Sequence, residues 1–164
     1  MFANISSSPF IVQQHYGFSA FEFSLFFGIN ALAIGLAAGL SVKFKNPEHA
    51  MFLGSVGMTI MSAVEFVILS NEYHFAVYEA VLFVLLFSMG LTFTASTTLA
   101  MDCERANSGT ASALFGAAGF AFGGIVSPLV GLGDILSTTG LIFFVCSVCS
   151  PVSYTHLRAH ETAA

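Results

Sequence analysis

Long apolar stretches alternate with short polar breaks along most of this chain. The stretch 23–42 is charge-free for 20 residues, and about 20 helical residues cross the roughly 30 Å hydrocarbon core of a bilayer. Four further apolar stretches follow it, and one that is too short to span precedes it. The pattern predicts an all-α transmembrane protein with five spans and part of another: 1–12 (partial), 18–42, 50–70, 77–101, 108–132 and 135–150.

The few basic residues occur in alternate breaks between these stretches. Lys43 and Lys45 lie in one break and Arg105 in another, whereas the breaks at 71–75 and 133–137 contain no Lys or Arg. Because cytoplasmic loops of membrane proteins carry an excess of Lys and Arg, this alternation predicts that the basic breaks face the cytoplasm. The chain is therefore expected to be a multi-pass protein with a defined orientation.

Composition excludes an ordinary soluble domain. Hydrophobic residues make up 56% of the chain and charged residues only 8%, whereas about 25% of the residues of a soluble protein are charged. The mean hydropathy is +0.86, and the sequence contains no basic patch that could bind nucleic acid. Most of the surface is therefore expected to contact the lipid bilayer.

The small residues Cys and Gly within the spans predict helix packing and not a metal or redox site. Cys146 and Cys149 form a C-x-x-C in an apolar stretch without a second ligand pair, so we expect buried thiols and no metal or redox site. Glycines four residues apart allow helix backbones to approach closely. Two such pairs predict close contacts: Gly35 with Gly39, and Gly119 with Gly123.

The C-terminal segment 151–164 differs from the rest of the chain. A proline interrupts the last apolar stretch, and polar residues with two histidines follow it. The segment resembles adaptor-derived read-through, so we interpret it as a non-native tail. The alternative is a genuine cytoplasmic tail in which His156 and His160, at helical spacing, bind a metal.

Two blocks of the sequence carry a family resemblance. They comprise Ile5-Ser-Ser-Ser-Pro-Phe10 with Leu25-Phe-Phe-Gly-Ile-Asn-Ala31, and Asn107-Ser-Gly-Thr-Ala-Ser-Ala-Leu114 with Ser127-Pro-Leu-Val-Gly131. Both blocks, and the spacing between them, resemble the C-terminal half of the Bcr/CflA drug-resistance transporters of the major facilitator superfamily. The resemblance covers about residues 1–150 and implies a partial helix bundle, namely the end of helix 7 plus helices 8–12, with the last one truncated.

The resemblance also implies a function. It predicts a fragment of a multidrug efflux antiporter of the bacterial inner membrane, which exports small hydrophobic drugs in exchange for protons by alternating access. No cofactor, catalytic residue or metal is expected, and the missing N-terminal half is the expected partner. Since substrate sites of such transporters lie between two halves, we predict that this chain alone does not transport.

The sequence is also compatible with two other functions. A small accessory membrane protein could pair with a separate N-terminal half. A membrane-embedded enzyme could use Glu65 and His74, although the sequence offers no paired catalytic motif at interpretable spacing.

Asn30 is the leading candidate for substrate binding. A buried amide in the membrane is costly unless it is hydrogen-bonded, so Asn30 should face either another helix or the central cavity. Helix 8 lines the cavity in the family that this chain resembles, which favours substrate contact. Phe23, Phe26 and Phe27 lie near the same face and could form an aromatic wall for flat drugs, or face lipid.

Polar residues in two other spans complete the candidate set. Glu65 is the one acid well inside a predicted span, so it is a candidate proton relay, with a snorkelling or interhelical carboxyl as the alternative. Glu22 and Glu79 are expected at the membrane interface. Thr94 and Thr97 belong to a hydroxylated half-helix that could face the substrate, or bond to its own backbone.

Overall fold

The computed structural model describes residues 1–103 and 105–161, without the side chains of 103, 106 and 152–161. These residues form helices and no strand, which confirms the all-α fold. The helices are α1 (Phe2–Pro9), continued by a π-helical turn at Phe10–His15, then α2 (Ala20–Ser41), α3 (Pro47–Ser70), α4 (Phe75–Cys103), α5 (Ser108–Leu129) and α6 (Ile135–Glu161). A short 3-10 turn at Arg105–Asn107 precedes α5.

Four helices in the described part of the chain are long and apolar enough to cross a bilayer. They are α2, α3, α5 and the segment Phe75–Asp102 of α4, and a shorter apolar segment, Ile135–Pro151, begins α6. The backbone of α6 stays helical past Pro151 to Glu161. The side chains of His156 and His160, and residues 162–164, lie outside the described part, so the tail and its metal-binding alternative remain predictions.

Local sequence explains where the helices begin and turn. The hydroxyl of Ser19 accepts a hydrogen bond from the Glu22 backbone N–H, while the Glu22 carboxylate accepts one from the Ser19 N–H, forming a capping box at the start of α2. Pro47 occupies the first turn of α3, where its missing N–H is not needed. Glu72 has a positive φ of 50°, which lets the chain reverse direction between α3 and α4.

Helix α4 packs against both α2 and α3, and α3 also packs against α6. Small residues permit these contacts. A Cβ built on Gly54 would lie 2.8 Å from the Ser88 carbonyl oxygen of α4, and one on Gly90 would lie 2.8 Å from the Cβ of Ala37. The α3–α4 and α2–α4 interfaces therefore depend on glycine at these positions.

The predicted glycine pairs are not where the described helices approach most closely. A Cβ on Gly35, Gly39 or Gly119 would meet no other atom within 4 Å. Gly123 is close to a neighbour, but the neighbour is the ring of Phe2 rather than another backbone. Within the described residues, the spacing therefore does not identify the closest helix contacts, because spacing alone does not show which face of a helix is covered.

Hydroxyl groups join α3 to α6. The Thr59 hydroxyl donates a hydrogen bond to the Ser147 carbonyl oxygen at 3.1 Å, and the hydroxyls of Ser62 and Ser147 bond to each other. Such interhelical bonds contribute about 0.6–2 kcal/mol in membranes. Cys146 and Cys149 lie exposed on α6, contrary to the prediction of buried thiols, because α6 turns its Ser147 face towards α3.

Candidate functional site

Two glutamates meet near the turn of the α3–α4 hairpin. Glu65 lies seven residues before Glu72 and Glu79 lies seven residues after it, so antiparallel packing places the two at a similar level. Their carboxyl groups interact electrostatically. The side chain of Glu65 is fully buried, and both carboxyl oxygens of Glu79 are buried as well.

This arrangement bears on two expectations. Among the alternatives for Glu65, snorkelling to the surface is excluded, since none of its area is exposed, whereas an interhelical carboxyl is consistent with its burial. Glu79 does not present its carboxyl to the interface, because its oxygens are covered by the bundle. Glu22 is exposed at the start of α2, in agreement with the predicted interfacial position.

Neither glutamate has a cationic partner among the side chains that the structure describes. The salt bridge found there joins Arg105 to Asp102, far along the chain from the pair. No hydrogen bond of normal geometry reaches the oxygens of Glu65 or Glu79. Buried carboxyls without partners are costly in an apolar medium, so they point to function or to a bound proton or water.

Asn30 on α2 faces this pair. It is only 6% exposed and lines the same small cavity as Glu79, whose two carboxyl oxygens have no hydrogen-bond partner among the described residues. The Asn30 Oδ1 atom has no partner. Asn30, the leading candidate from the sequence, therefore lies beside Glu79, which the sequence had not indicated as part of a site.

A cavity of about 10 Å³ lies between Asn30 and Glu79, which is about enough for a single water molecule. The three predicted aromatic residues line it together with Asn30, so the structure does bring this part of the candidate set together. Its walls are formed by Ser8, Val12, Phe23, Phe26, Phe27, Asn30, Tyr78, Glu79 and Leu82.

Two tyrosines surround the carboxyl pair. Tyr78 is 1% exposed and interacts electrostatically with both glutamates and with Tyr16. The Tyr16 hydroxyl donates a hydrogen bond to the Tyr73 carbonyl oxygen at 2.9 Å. Burial, reinforced by the charges of Glu65 and Glu72, raises the pKa of Tyr16, so this phenol stays protonated as a donor at neutral pH.

Aromatic rings close the region next to the turn. The ring of Phe26 lies 4.6 Å from that of Phe75, which in turn lies 4.4 Å from Phe18 and 5.2 Å from Tyr16. Phe26 is therefore part of a packed aromatic cluster, whereas Phe27 is 40% exposed. Phe26 also lines the small cavity beside Glu79, so the cluster adjoins that site.

The two predicted threonines lie elsewhere. Thr94 and Thr97 line a shallow surface pocket with Phe93 and Asp102, about 22–27 Å along α4 from Glu79 by helical rise. The Thr97 hydroxyl donates to the Phe93 carbonyl oxygen at 2.8 Å, as the backbone-bonding alternative expects. The structure therefore does not join these threonines to the Asn30 region.

His74 does not join Glu65 in a catalytic arrangement. Its Nδ1 atom accepts a hydrogen bond from the Ala76 N–H at 3.3 Å at the start of α4, which is a helix-capping contact. A second, partly open apolar cavity of about 260 Å³ is lined among others by Met58, Met89 and Phe122. Sequence reasoning did not identify these residues, because apolar side chains carry no signal in an apolar span.

Comparison with known proteins adds independent information. The chain is 33% identical over 157 residues to a Bacillus subtilis (strain 168) protein described as the uncharacterized MFS-type transporter YdgK. The similarity supports membership of the major facilitator superfamily. No family model matches the chain, and no solved structure matches it significantly.

The alignment covers 93% of this chain but 39% of the relative, so the chain spans about two fifths of the relative's length. This similarity supports a transporter fragment and favours a transporter over the membrane-embedded enzyme. Together with the apolar helices, it supports a multi-pass membrane protein.

Proposed function

We propose that this chain is the C-terminal part of a proton-coupled exporter of small hydrophobic drugs in the bacterial inner membrane. An N-terminal half would complete the transport pathway, and the two halves would alternate between inward-open and outward-open states. The Bcr/CflA-like blocks at 5–34 and 107–133 support the drug-exporting branch of the superfamily. The transporter relative supports the broader class.

The observation that carries the proposal is the buried carboxyl of Glu65. Ionisable groups inside membrane spans are expensive, and they commonly mark ion or proton pathways. Glu65 is fully enclosed and has no described partner, so a packing role does not explain a carboxyl at this position of an apolar helix. A carboxyl that takes up and releases a proton during the transport cycle accounts for both properties.

Substrate contact is assigned to the Asn30 face of α2. The 10 Å³ cavity beside Asn30 is too small for a drug, so Phe23 and Phe27 would contact substrate only in a state where the two halves separate. Thr94 and Thr97 would contact substrate at the other end of the pathway.

A cell-based efflux measurement tests the proposal. Cells that produce the complete gene product containing this chain should accumulate less ethidium than vector controls, and a protonophore should abolish the difference. Equal accumulation in both strains would contradict drug export, and efflux that survives the protonophore would contradict proton coupling.

Asn30→Ala should lower this efflux about tenfold, because an interaction with a charged group typically contributes about 1.5–3 kcal/mol. Asn46→Ala is the matched control, since Asn46 lies exposed before α3 and its side chain makes no capping bond. Equal efflux by the two variants, at equal protein abundance, would remove Asn30 from the functional site.

A further inference from the structure

We propose that the apolar cavity of about 260 Å³ binds a neutral aromatic molecule of two rings that carries a hydrogen-bond acceptor. The cavity is bordered by α1, α3, α4, α5 and α6. The leading substrate contacts of the proposed function, at Asn30 and the neighbouring phenylalanines, lie instead on α2. This inference therefore goes beyond the proposed function, and its binding test does not require that the protein transports ethidium.

Two glycines of α5 line the cavity and explain why there is space for it. The ring of Phe2 packs against Gly123, where any side chain would collide with it. A Cβ on Gly119, one turn earlier, would meet no described atom within 4 Å, so α5 leaves room at this position. The Gly119 and Gly123 pair therefore makes room for a ligand and not for a second helix.

The volume of the cavity limits the size of its ligand. An apolar cavity of about 150 Å³ holds one benzene ring, so the observed volume of about 260 Å³ admits roughly two rings. Leu86 of α4 and Phe143 of α6 line the cavity and are buried, whereas Phe122 of α5 is 70% exposed. A ligand of this size can therefore enter beside α5 and be largely covered by the other helices.

The side chains around the cavity favour an uncharged aromatic ligand. Phe2 and Phe143 present rings, and aromatic pairs prefer offset or edge-to-face packing. Met58 and Met89 add flexible thioethers, whose sulfur atoms make favourable contacts with ring edges. No Asp, Glu, Lys or Arg side chain lines the cavity in the part of the chain that the structure describes. A charged ligand would therefore be desolvated without a counter-ion.

One polar group in the cavity wall favours a ligand with a hydrogen-bond acceptor. Asn4 lines the cavity and is only 6% exposed. Its Oδ1 atom accepts a hydrogen bond from the Ser8 hydroxyl at 2.9 Å, whereas its Nδ2 group has no acceptor among the described residues. The hydroxyls of Ser62 and Ser147 already bond to each other and to backbone carbonyls. A buried N–H without an acceptor is costly, and a ketone oxygen on the ligand would satisfy it.

Photolabelling of the purified complete gene product with benzophenone tests the proposal. Benzophenone is a neutral ketone with two rings; under ultraviolet light its carbonyl carbon bonds to a nearby carbon, whose hydrogen moves to the ketone oxygen. Labelling should saturate, and peptide mass spectrometry should find the label on residues that line the cavity, above all Met58 and Met89. Labelling that does not saturate, or that lies only on exposed residues such as Phe21 and Leu132, would overturn the site.

Gly119→Leu should lower this labelling at least about tenfold, because the added side chain occupies the space of the ligand. Gly124→Leu is the matched control. It adds the same side chain to α5 at a position that does not line the cavity, and a Cβ there also meets no described atom within 4 Å. Equal labelling of the two variants would show that benzophenone binds elsewhere.

Asn4→Ala should weaken benzophenone binding about fivefold, because one hydrogen bond of ordinary strength is lost. The Ser8 hydroxyl keeps a partner in this variant, since it also donates to the backbone carbonyl oxygen of residue 4. Diphenylmethane has the same two rings without the carbonyl, so it should compete equally well in the wild type and in Asn4→Ala. Equal weakening of both compounds would overturn the hydrogen bond to Asn4.

Two further measurements decide the class of ligand. Ethidium is a cation and should not displace benzophenone; displacement would overturn the neutral ligand. A phospholipid that co-purifies with the wild type, is absent from Gly119→Leu and resists excess benzophenone would identify an acyl chain as the occupant and overturn the aromatic ligand. If cells do not export ethidium while benzophenone labels the cavity, the proposed function fails and this site stands.

Discussion

Cells that produce residues 1–164 alone should accumulate ethidium to the same level as cells without the chain, whereas the complete gene product should lower the accumulation. Four of the described helices are long and apolar enough to cross a bilayer, and under the proposed function substrate binds between two six-helix halves. The exposed apolar surfaces of α2 and α5 fit this expectation, since few of their residues are buried within the chain.

The comparison requires that both proteins reach the membrane in equal amounts, which quantitative blotting of membrane fractions establishes. Efflux by the 164-residue chain alone would contradict the half-transporter account. It would also favour a self-sufficient small transporter that assembles from several copies.

Gly54→Leu should destabilise the complete protein severely. A Cβ at this position would lie 2.8 Å from the Ser88 carbonyl oxygen and 2.8 Å from the Thr92 backbone nitrogen, and neither backbone atom can move without displacing α4. Overpacking of this kind costs about 1–3 kcal/mol, so the unfolding midpoint in detergent should fall by roughly 2–12 °C.

Gly35→Leu is the matched control for this prediction. Within the described part of the chain, a Cβ on Gly35 of α2 meets no atom within 4 Å. Gly35→Leu should therefore lower the unfolding midpoint far less than Gly54→Leu does. Equal destabilisation by the two variants would show that helix propensity, rather than the contact between α3 and α4, causes the effect.

Much of the fold follows from the sequence because the bilayer imposes a simple rule. A spanning segment must satisfy its backbone internally, so a helix of about 20 apolar residues is the expected solution. The predicted span 18–42 corresponds to α2 (Ala20–Ser41), and 50–70 corresponds to α3 (Pro47–Ser70). The observed helices begin two or three residues away from the predicted starts, because a capping residue such as Ser19, or a proline such as Pro47, determines the first turn.

Only part of the candidate site could be predicted from the sequence. Asn30 stood out because an amide in an apolar helix is conspicuous, and its neighbours Phe23 and Phe26 follow from helical spacing. Glu79 was missed because its nearness to a helix end suggested the interface. Glu79 and Glu65 are equally far from Glu72 in the turn, and this symmetry was the signal that could have identified Glu79.

The sequence did not show how each helix is rotated about its own axis. The glycines at 35 and 39 had the correct spacing for helix contact, yet the contacts formed at Gly54 and Gly90 instead. Thr94 and Thr97 were similarly grouped with Asn30 by polarity, although they lie at the other end of α4. Hydropathy places residues along the membrane normal but does not say which face of a helix meets a neighbour.

Proton movement in reconstituted vesicles tests the central claim most directly. The complete gene product is reconstituted with a pH-sensitive dye inside the vesicles, and ethidium is added to drive transport down its gradient. The account predicts a pH change inside the vesicles that wild-type protein produces and Glu65→Gln does not. Ethidium movement without any accompanying pH change in the wild type, or an undiminished pH change in Glu65→Gln, would contradict it.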